Sequence, residues 1–338
     1  MSRSERSSSV LEATDQWFLR HGLTYFVPEE RAAVRAAMRV RRTILPAVVV
    51  VTVALAAGVA LVWVSGDLGA GPAVLITLSV TAIVAYGVTA LRARHILGWG
   101  LSRTFGSLRR LLPMVMRALP LLLLFVTFLF INAEVWQMAA SVSIGSLWLT
   151  ALLFAATALV FLVIRLPEEV DKVDDDVTDE FLLRACTGTP LEEACAELVA
   201  DPDADPASYA TIAGFERWNL ILSLLVVQIV QVLLIATGVF AFFLVFGSLV
   251  MTDDVQLAWT GLDGLHSASW LPNVSVELLR VSLFLASFSL LYLTVSTVTD
   301  EAYRAQFFGG VLRELERAVG MRAVYLALRD GEPGEPSG

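Results

Sequence analysis

Cysteine, histidine and lysine are nearly absent from this 338-residue chain, which holds two, three and one of them respectively. Cys186 and Cys195, nine positions apart, are too few for a disulfide framework or a thiolate metal cage. His21, His95 and His266 are scattered. No HExxH zinc motif, G-x-S-x-G elbow or Walker lysine loop occurs, and no pair of aspartates sits within an apolar run. No catalytic, cofactor-binding or metal-binding set is therefore expected, and an enzyme is the disfavoured class. Charge is also scarce, at 17% of residues against about 25% in ordinary soluble domains. The first 44 residues lack an apolar core followed by a small-residue cleavage site, so no cleavable signal peptide is expected. No N-terminal glycine or C-terminal CaaX box offers a lipid anchor.

What the chain has instead is apolar length. Hydrophobic residues make up 57% of it. Five runs are long enough to cross a hydrocarbon core of roughly 30 Å: 45–64, 72–91, 144–164, 218–251 and 276–298. A sixth, at 114–133, carries Arg117 and Pro120 near its start. It reads as a short tilted span or as a re-entrant pair with the stretch after Asn132. The 218–251 run is too long for one perpendicular crossing, so it must tilt, kink near Gly238 or project beyond the bilayer. Helices are the form expected, because backbone in lipid must satisfy its own hydrogen bonds. The fold class is accordingly all-α: a polytopic bundle of six transmembrane helices.

Charge placement gives an orientation. Residues 65–71, 132–143 and 252–275 contain no arginine or lysine, while the other loops and both tails hold 23 of the 24 basic residues. The exception, Arg280, lies just inside the last span. Positive charge accumulates in cytoplasmic loops, so both termini are expected inside. Trp63, Trp136, Trp148, Trp259 and Trp270 then fall near the outer interface, and Trp17, Trp99 and Trp218 near the inner one, where amphipathic indoles are favoured. Twenty-three arginines against one lysine suggest a GC-rich bacterial genome, and with it a cytoplasmic membrane location.

Four segments form the cytoplasmic face. In 1–44, Pro28-Glu29-Glu30 starts a helix on which Arg31, Arg35, Arg39 and Arg42 share a face. They are candidates for contact with anionic lipid headgroups, or an ordinary basic flank. Between spans two and three, Leu97, Leu101, Phe105, Leu108, Leu112 and Val115 form an apolar stripe. The 165–217 loop is acidic, with a net charge of −12 over 166–217. Its carboxylates read as a solvated face or as a docking partner for the arginine helix, and Asp171, Asp175 and Asp179 share one side. Thr189-Pro190-Leu191-Glu192 starts a small helix. The 299–338 segment is an amphipathic helix, with a break expected at Gly309-Gly310, followed by a linker-like tail.

Charged groups in a bilayer cost roughly 2.5–3.5 kcal/mol each, so each calls for a reason. Glu134, Glu277 and Arg280 are brought to one leaflet. Glu277 and Arg280, three apart, are placed to pair, and Arg280 is a candidate partner for Glu134 across helices. Gln228 and Gln231 lie deeper, three apart, as interhelical glue or the lining of a hydrated path. Ala54 and Gly58, and Ser282, Ser289 and Ser296, form small-residue seams suited to close packing. The function expected is a non-enzymatic membrane anchor or assembly partner, contacting lipid, a cytoplasmic or envelope protein, or a second copy of itself. A small-solute or ion transporter or channel is the alternative. No nucleic-acid partner is expected.

Overall fold

The computed structural model describes residues 3–38, 40–106, 122–171, 177–267, 274–299 and 301–330. Among them the chain is helical throughout, with one isolated β-bridge between Ser267 and Ser275. The helices are α1 (Arg3–Arg20), α2 (Pro28–Ala37), α3 (Val40–Ser65), α4 (Ala70–Thr89), α5 (Arg94–Gly106), α6 (Leu122–Phe130) and α7 (Ala133–Ser141). They continue with α8 (Ile144–Asp171), α9 (Asp179–Cys186), α10 (Glu192–Ala200), α11 (Gly214–Val250), α12 (Asp253–Thr260), α13 (Val276–Thr299) and α14 (Glu301–Asp330). Five of these (α3, α4, α8, α11 and α13) are long and apolar enough to cross a membrane, or six if the bent pair α6–α7 counts as one span. Several such helices in one chain are the make-up of a multi-pass membrane protein.

The bundle is graded in burial. α13 is its most enclosed long helix, packed against both α8 and α11, while α4 joins α8 and α3 packs chiefly on α4. Small residues permit the close pairings, as their spacing predicts. Ala54 is fully buried, and a Cβ on Gly58 would lie 2.9 Å from the Gly71 carbonyl of α4. Ser282 and Ser289 of α13 are likewise buried. The outer faces of α3 and α4 remain uncovered by protein, with Val48, Val59, Trp63 and Ile83 open. Apolar surface of that extent suits lipid as its solvent.

At one end, the cap end, the bundle carries a second core. Phe18 and Phe26, the α8 tail (Leu162, Leu166, Val170), Leu182, Leu191, both cysteines, the start of α11 and residues 315–325 of α14 form one buried cluster. Three separate parts of the chain, the N-terminal segment, the 165–217 loop and the C-terminal helix, thus close into one unit. α14 is its axis, in contact with α1, α9, α10 and the 206–209 turn. It runs unbroken through Gly309-Gly310, contrary to the break the two glycines suggest, and Leu315 and Val319 supply part of its buried face.

α11 explains its own length. Its 37 residues form one continuous helix of about 55 Å, uninterrupted at Gly238. The first third carries Leu220, Ile221, Leu224 and Val227 into the cap core, and only the remainder has the length of a span. α5 lies along that first third, but not through the stripe its sequence advertises. Ile96, Gly100 and Thr104 are buried, with Gly100 against Val226, while Leu101 and Phe105 face outward. Close approach at a glycine decides the face here, where counting large apolar residues selects the wrong one.

At the far end α6 and α7 meet at 71°. Asn132 caps α7, its side-chain oxygen accepting from the Glu134 amide at 2.8 Å, and Trp136 Nε1 donates to the Phe130 carbonyl at 2.7 Å. Trp136 is completely buried against Phe130, not placed at a lipid interface. α7 then lies across the far end against α12 and α13. Asp67, in the α3–α4 turn, accepts from Gly69 N, Gly145 N and Ser143 Oγ, all at 2.8 Å. It thereby fastens the α8 start to that turn, and these bonds, led by the Ser143 hydroxyl, hold its carboxyl below the usual range.

Candidate functional site

The densest polar constellation sits where the cap meets α11. Glu216, one turn into the helix and 4% exposed, accepts from Arg31 Nη1 of α2 at 2.8 Å on one oxygen. Its other oxygen accepts from Arg322 Nε of α14 at 2.7 Å. Arg322 also donates to the Tyr209 and Thr211 carbonyls at 2.6 and 3.1 Å. One carboxylate therefore ties together the N-terminal segment, α11 and the C-terminal helix. A turn later Asn219, wholly buried, accepts from Tyr25 N and donates to the Gly22 carbonyl, both at 2.8 Å. Gly22 has φ +73 and a Cβ there would meet Trp99 at 3.1 Å, so the α1–α2 connection fits only with glycine.

Further pairs surround this node. Glu30 accepts from Arg92, Asp171 takes a two-pronged bond from Arg217, Arg103 pairs with Glu314, and Arg165 with Glu168 and Glu169. The acidic loop and arginine helix do dock, but through Glu216, next to the end of the loop, while Asp171 serves Arg217. Asp175 lies outside the described residues.

Nearby, Trp17, His21, Trp99, Ser223, Glu314 and Arg317 help to line a cavity of about 60 Å³. His21 stacks on Trp17 at 3.8 Å and its Nδ1 bonds the Trp17 carbonyl at 2.8 Å, while the Arg317 guanidinium lies 5.8 Å from the Trp17 ring. The space suits a few waters. Among the described residues the hydrogen bond of the His21 ring is the one to the Trp17 carbonyl. Elsewhere on α1, Asp15 hydrogen-bonds Tyr325; burial raises the Asp15 carboxyl despite that bond, and burial also pushes the Tyr325 hydroxyl upward.

Of the arginines read as lipid-headgroup contacts, two are described with their side chains. Arg31 is committed to Glu216, and Arg35 lies over the Phe215 ring at 5.5 Å. Arg39 is outside the described residues, and so is the Arg42 side chain. At the far end Arg280 pairs with neither Glu134 nor Glu277. Its Nη1 donates to the Ala140 carbonyl at 2.9 Å, where α7 ends. α13 is thus fastened to the segment that contains Glu134, but through backbone, because the exposed Glu134 stands at the opposite end of α7. Glu277 is buried and holds His266, Nδ1 to Oε1 at 2.8 Å. Gln256 joins them in stitching this end, bonding the Met251 carbonyl and the Ser275 hydroxyl.

Gln228 and Gln231 are both buried in α11. Gln228 is fully buried with neither amide atom hydrogen-bonded, and Gln231 Oε1 also lacks a partner. The two cysteines, by contrast, come together: both are buried, and their thiols are hydrogen-bonded to each other. That bond and burial hold the Cys186 thiol far above its usual value. Spacing alone could not reveal this pairing, because the Gly188 turn (φ +69) that folds α10 onto α9 brings them together. No group of three metal-ligating side chains occurs among the described residues. No family model, curated protein or solved structure matches the chain.

Proposed function

We propose that the chain is a six-span protein of the bacterial cytoplasmic membrane with both termini inside, and that its cap is a non-enzymatic platform on which other proteins assemble. One observation carries the topology. The N-terminal α1 and C-terminal α14 touch, Phe18 meeting Tyr325 edge to face at 5.5 Å, so both lie on one side of any membrane. That contact supports an even number of crossings, and so a sixth beside the five long helices. The candidate for it is the span read at 114–133, of which Leu122–Phe130 and the start of α7 are described. Gly100 abuts Val226 near the cap, whereas Phe130 stacks on Phe243, 17 residues or about 25 Å further along α11. The basic residues gathered at the cap end support a cytoplasmic side for that end.

The platform reading is supported by the cap itself, since three distant chain segments are joined there around one buried carboxylate. Cross-linking in membranes followed by purification tests it. Specific recovery of partner proteins, lost when cap residues are altered, is the expected result; a chain recovered alone and monomeric overturns it. The orphaned Gln228 amide favours one other reading, a small-solute or ion transporter or channel with a hydrated path along α11. Flux in proteoliposomes that disappears with Gln228→Leu would establish that reading instead.

A further inference from the structure

The structure assigns a phosphate-binding site to the groove between α9 and α14. The groove has a volume of about 260 Å³ and is lined by Phe181, Arg184, Thr187, Arg313, Glu316 and Arg317. It exists because the two helices cross closely beside it: a Cβ on Gly320 would lie 2.5 Å from Ala185 Cβ and 3.2 Å from the Phe181 ring. Three guanidinium groups therefore converge from two elements held at a fixed separation, and a single carboxylate, Glu316, faces them.

The three arginines are not equivalent. Arg317 is anchored: its Nε donates to the Ala185 carbonyl at 3.2 Å, its Nη2 to the Thr187 carbonyl, and its face lies over Trp17. It caps the C-terminal end of α9, so those carbonyls are satisfied and do not repel an anion in the groove. Arg184 and Arg313 form no ion pair or hydrogen bond among the described residues, and both are exposed. Elsewhere at this end Arg31, Arg92, Arg103, Arg165, Arg217 and Arg322 each have a carboxylate, while Arg35 has, among the described residues, only the Phe215 ring. Two guanidiniums with no partner among the described residues, lining one concavity beside the anchored Arg317, present donors that an anionic ligand would fill. Guanidinium forks match phosphate oxygens in pairs, so the ligand class is a phosphate group, borne by a soluble molecule or by a lipid head.

The test uses the full chain in phosphatidylcholine nanodiscs, which expose both faces, so it does not depend on which side the cap occupies. Calorimetric titration with pyrophosphate is expected to give saturable binding, weakened roughly tenfold or more by each of Arg184→Ala and Arg313→Ala. Thermal unfolding should be unchanged in both variants, since neither side chain bonds a described residue. Repeating the titration in nanodiscs containing phosphatidylglycerol separates the sources: lost pyrophosphate binding identifies the lipid headgroup as occupant, and retained binding a soluble phosphate. Absence of saturable pyrophosphate binding in phosphatidylcholine, or binding indifferent to the double variant, overturns the assignment.

Discussion

Replacing Glu216 by alanine strands two guanidinium groups at the centre of the cap. Arg322 is 11% exposed and Arg31 22% exposed, and Glu216 itself only 5%. Removing one partner of a buried ion pair costs about 3–5 kcal/mol, chiefly because the remaining charge is left uncompensated. Arg31 retains enough solvent to recover part of its share, which points to the lower part of that range, about 3 kcal/mol. Against a typical stability of about 5–15 kcal/mol, such a loss is large. Denaturant unfolding of the protein in detergent reads it directly. Limited proteolysis should find earlier cleavage around residues 21–27, where α1 turns into α2. Glu216→Gln, which keeps an acceptor, should cost less than the alanine. In a double-mutant cycle, Arg322→Met should add little once Glu216 is gone. A Glu216→Ala protein within about 0.5 kcal/mol of the parent, the range of ordinary surface changes, would refute the idea that this carboxylate holds the cap together.

Three further outcomes follow from the same geometry. Gly320→Ala overpacks the α9–α14 crossing and should destabilise the cap by about 1–3 kcal/mol, measured by unfolding; no loss would mean that the helices separate freely. Cys186 and Cys195 should resist alkylation in the folded protein and react only on unfolding, because burial and their mutual hydrogen bond keep Cys186 in the thiol form. The Asp15 carboxyl is raised above 3.8, chiefly by burial. A raised carboxyl favours the fold below the unfolded value, and that contribution is lost as pH climbs through the folded one. Asp15→Asn should therefore remove this stretch of pH dependence and cost nothing at neutral pH; a clear loss of stability there would contradict the assignment.

Apolar run length was enough to find α3, α4, α8, α11 and α13, because lipid demands about twenty apolar residues and little else in a sequence looks like that. The cap was much less legible. Its core joins residues as distant as Phe18, Leu182 and Tyr325, and no local periodicity encodes such contacts. Glu216 looked like any carboxylate of an acidic loop, and its importance comes from Arg31 and Arg322 converging on it. α5 misled for another reason: Gly100 sets its buried face, and a glycine contributes nothing to an apolar stripe. Arg280 shows the same limit at the far end. Its charge suggested a carboxylate partner, but the nearest acceptor the fold brings is the Ala140 carbonyl that ends α7.

The account stands on α1, the 165–217 loop and α14 sharing one side of the membrane. Single cysteines at Ser8, Ser208 and Arg329, introduced with Cys186 and Cys195 replaced, test this with a membrane-impermeant maleimide. All three sites should be protected in intact cells and labelled in inverted vesicles. Labelling of any one of them from outside intact cells would contradict the fold as one cap on one face.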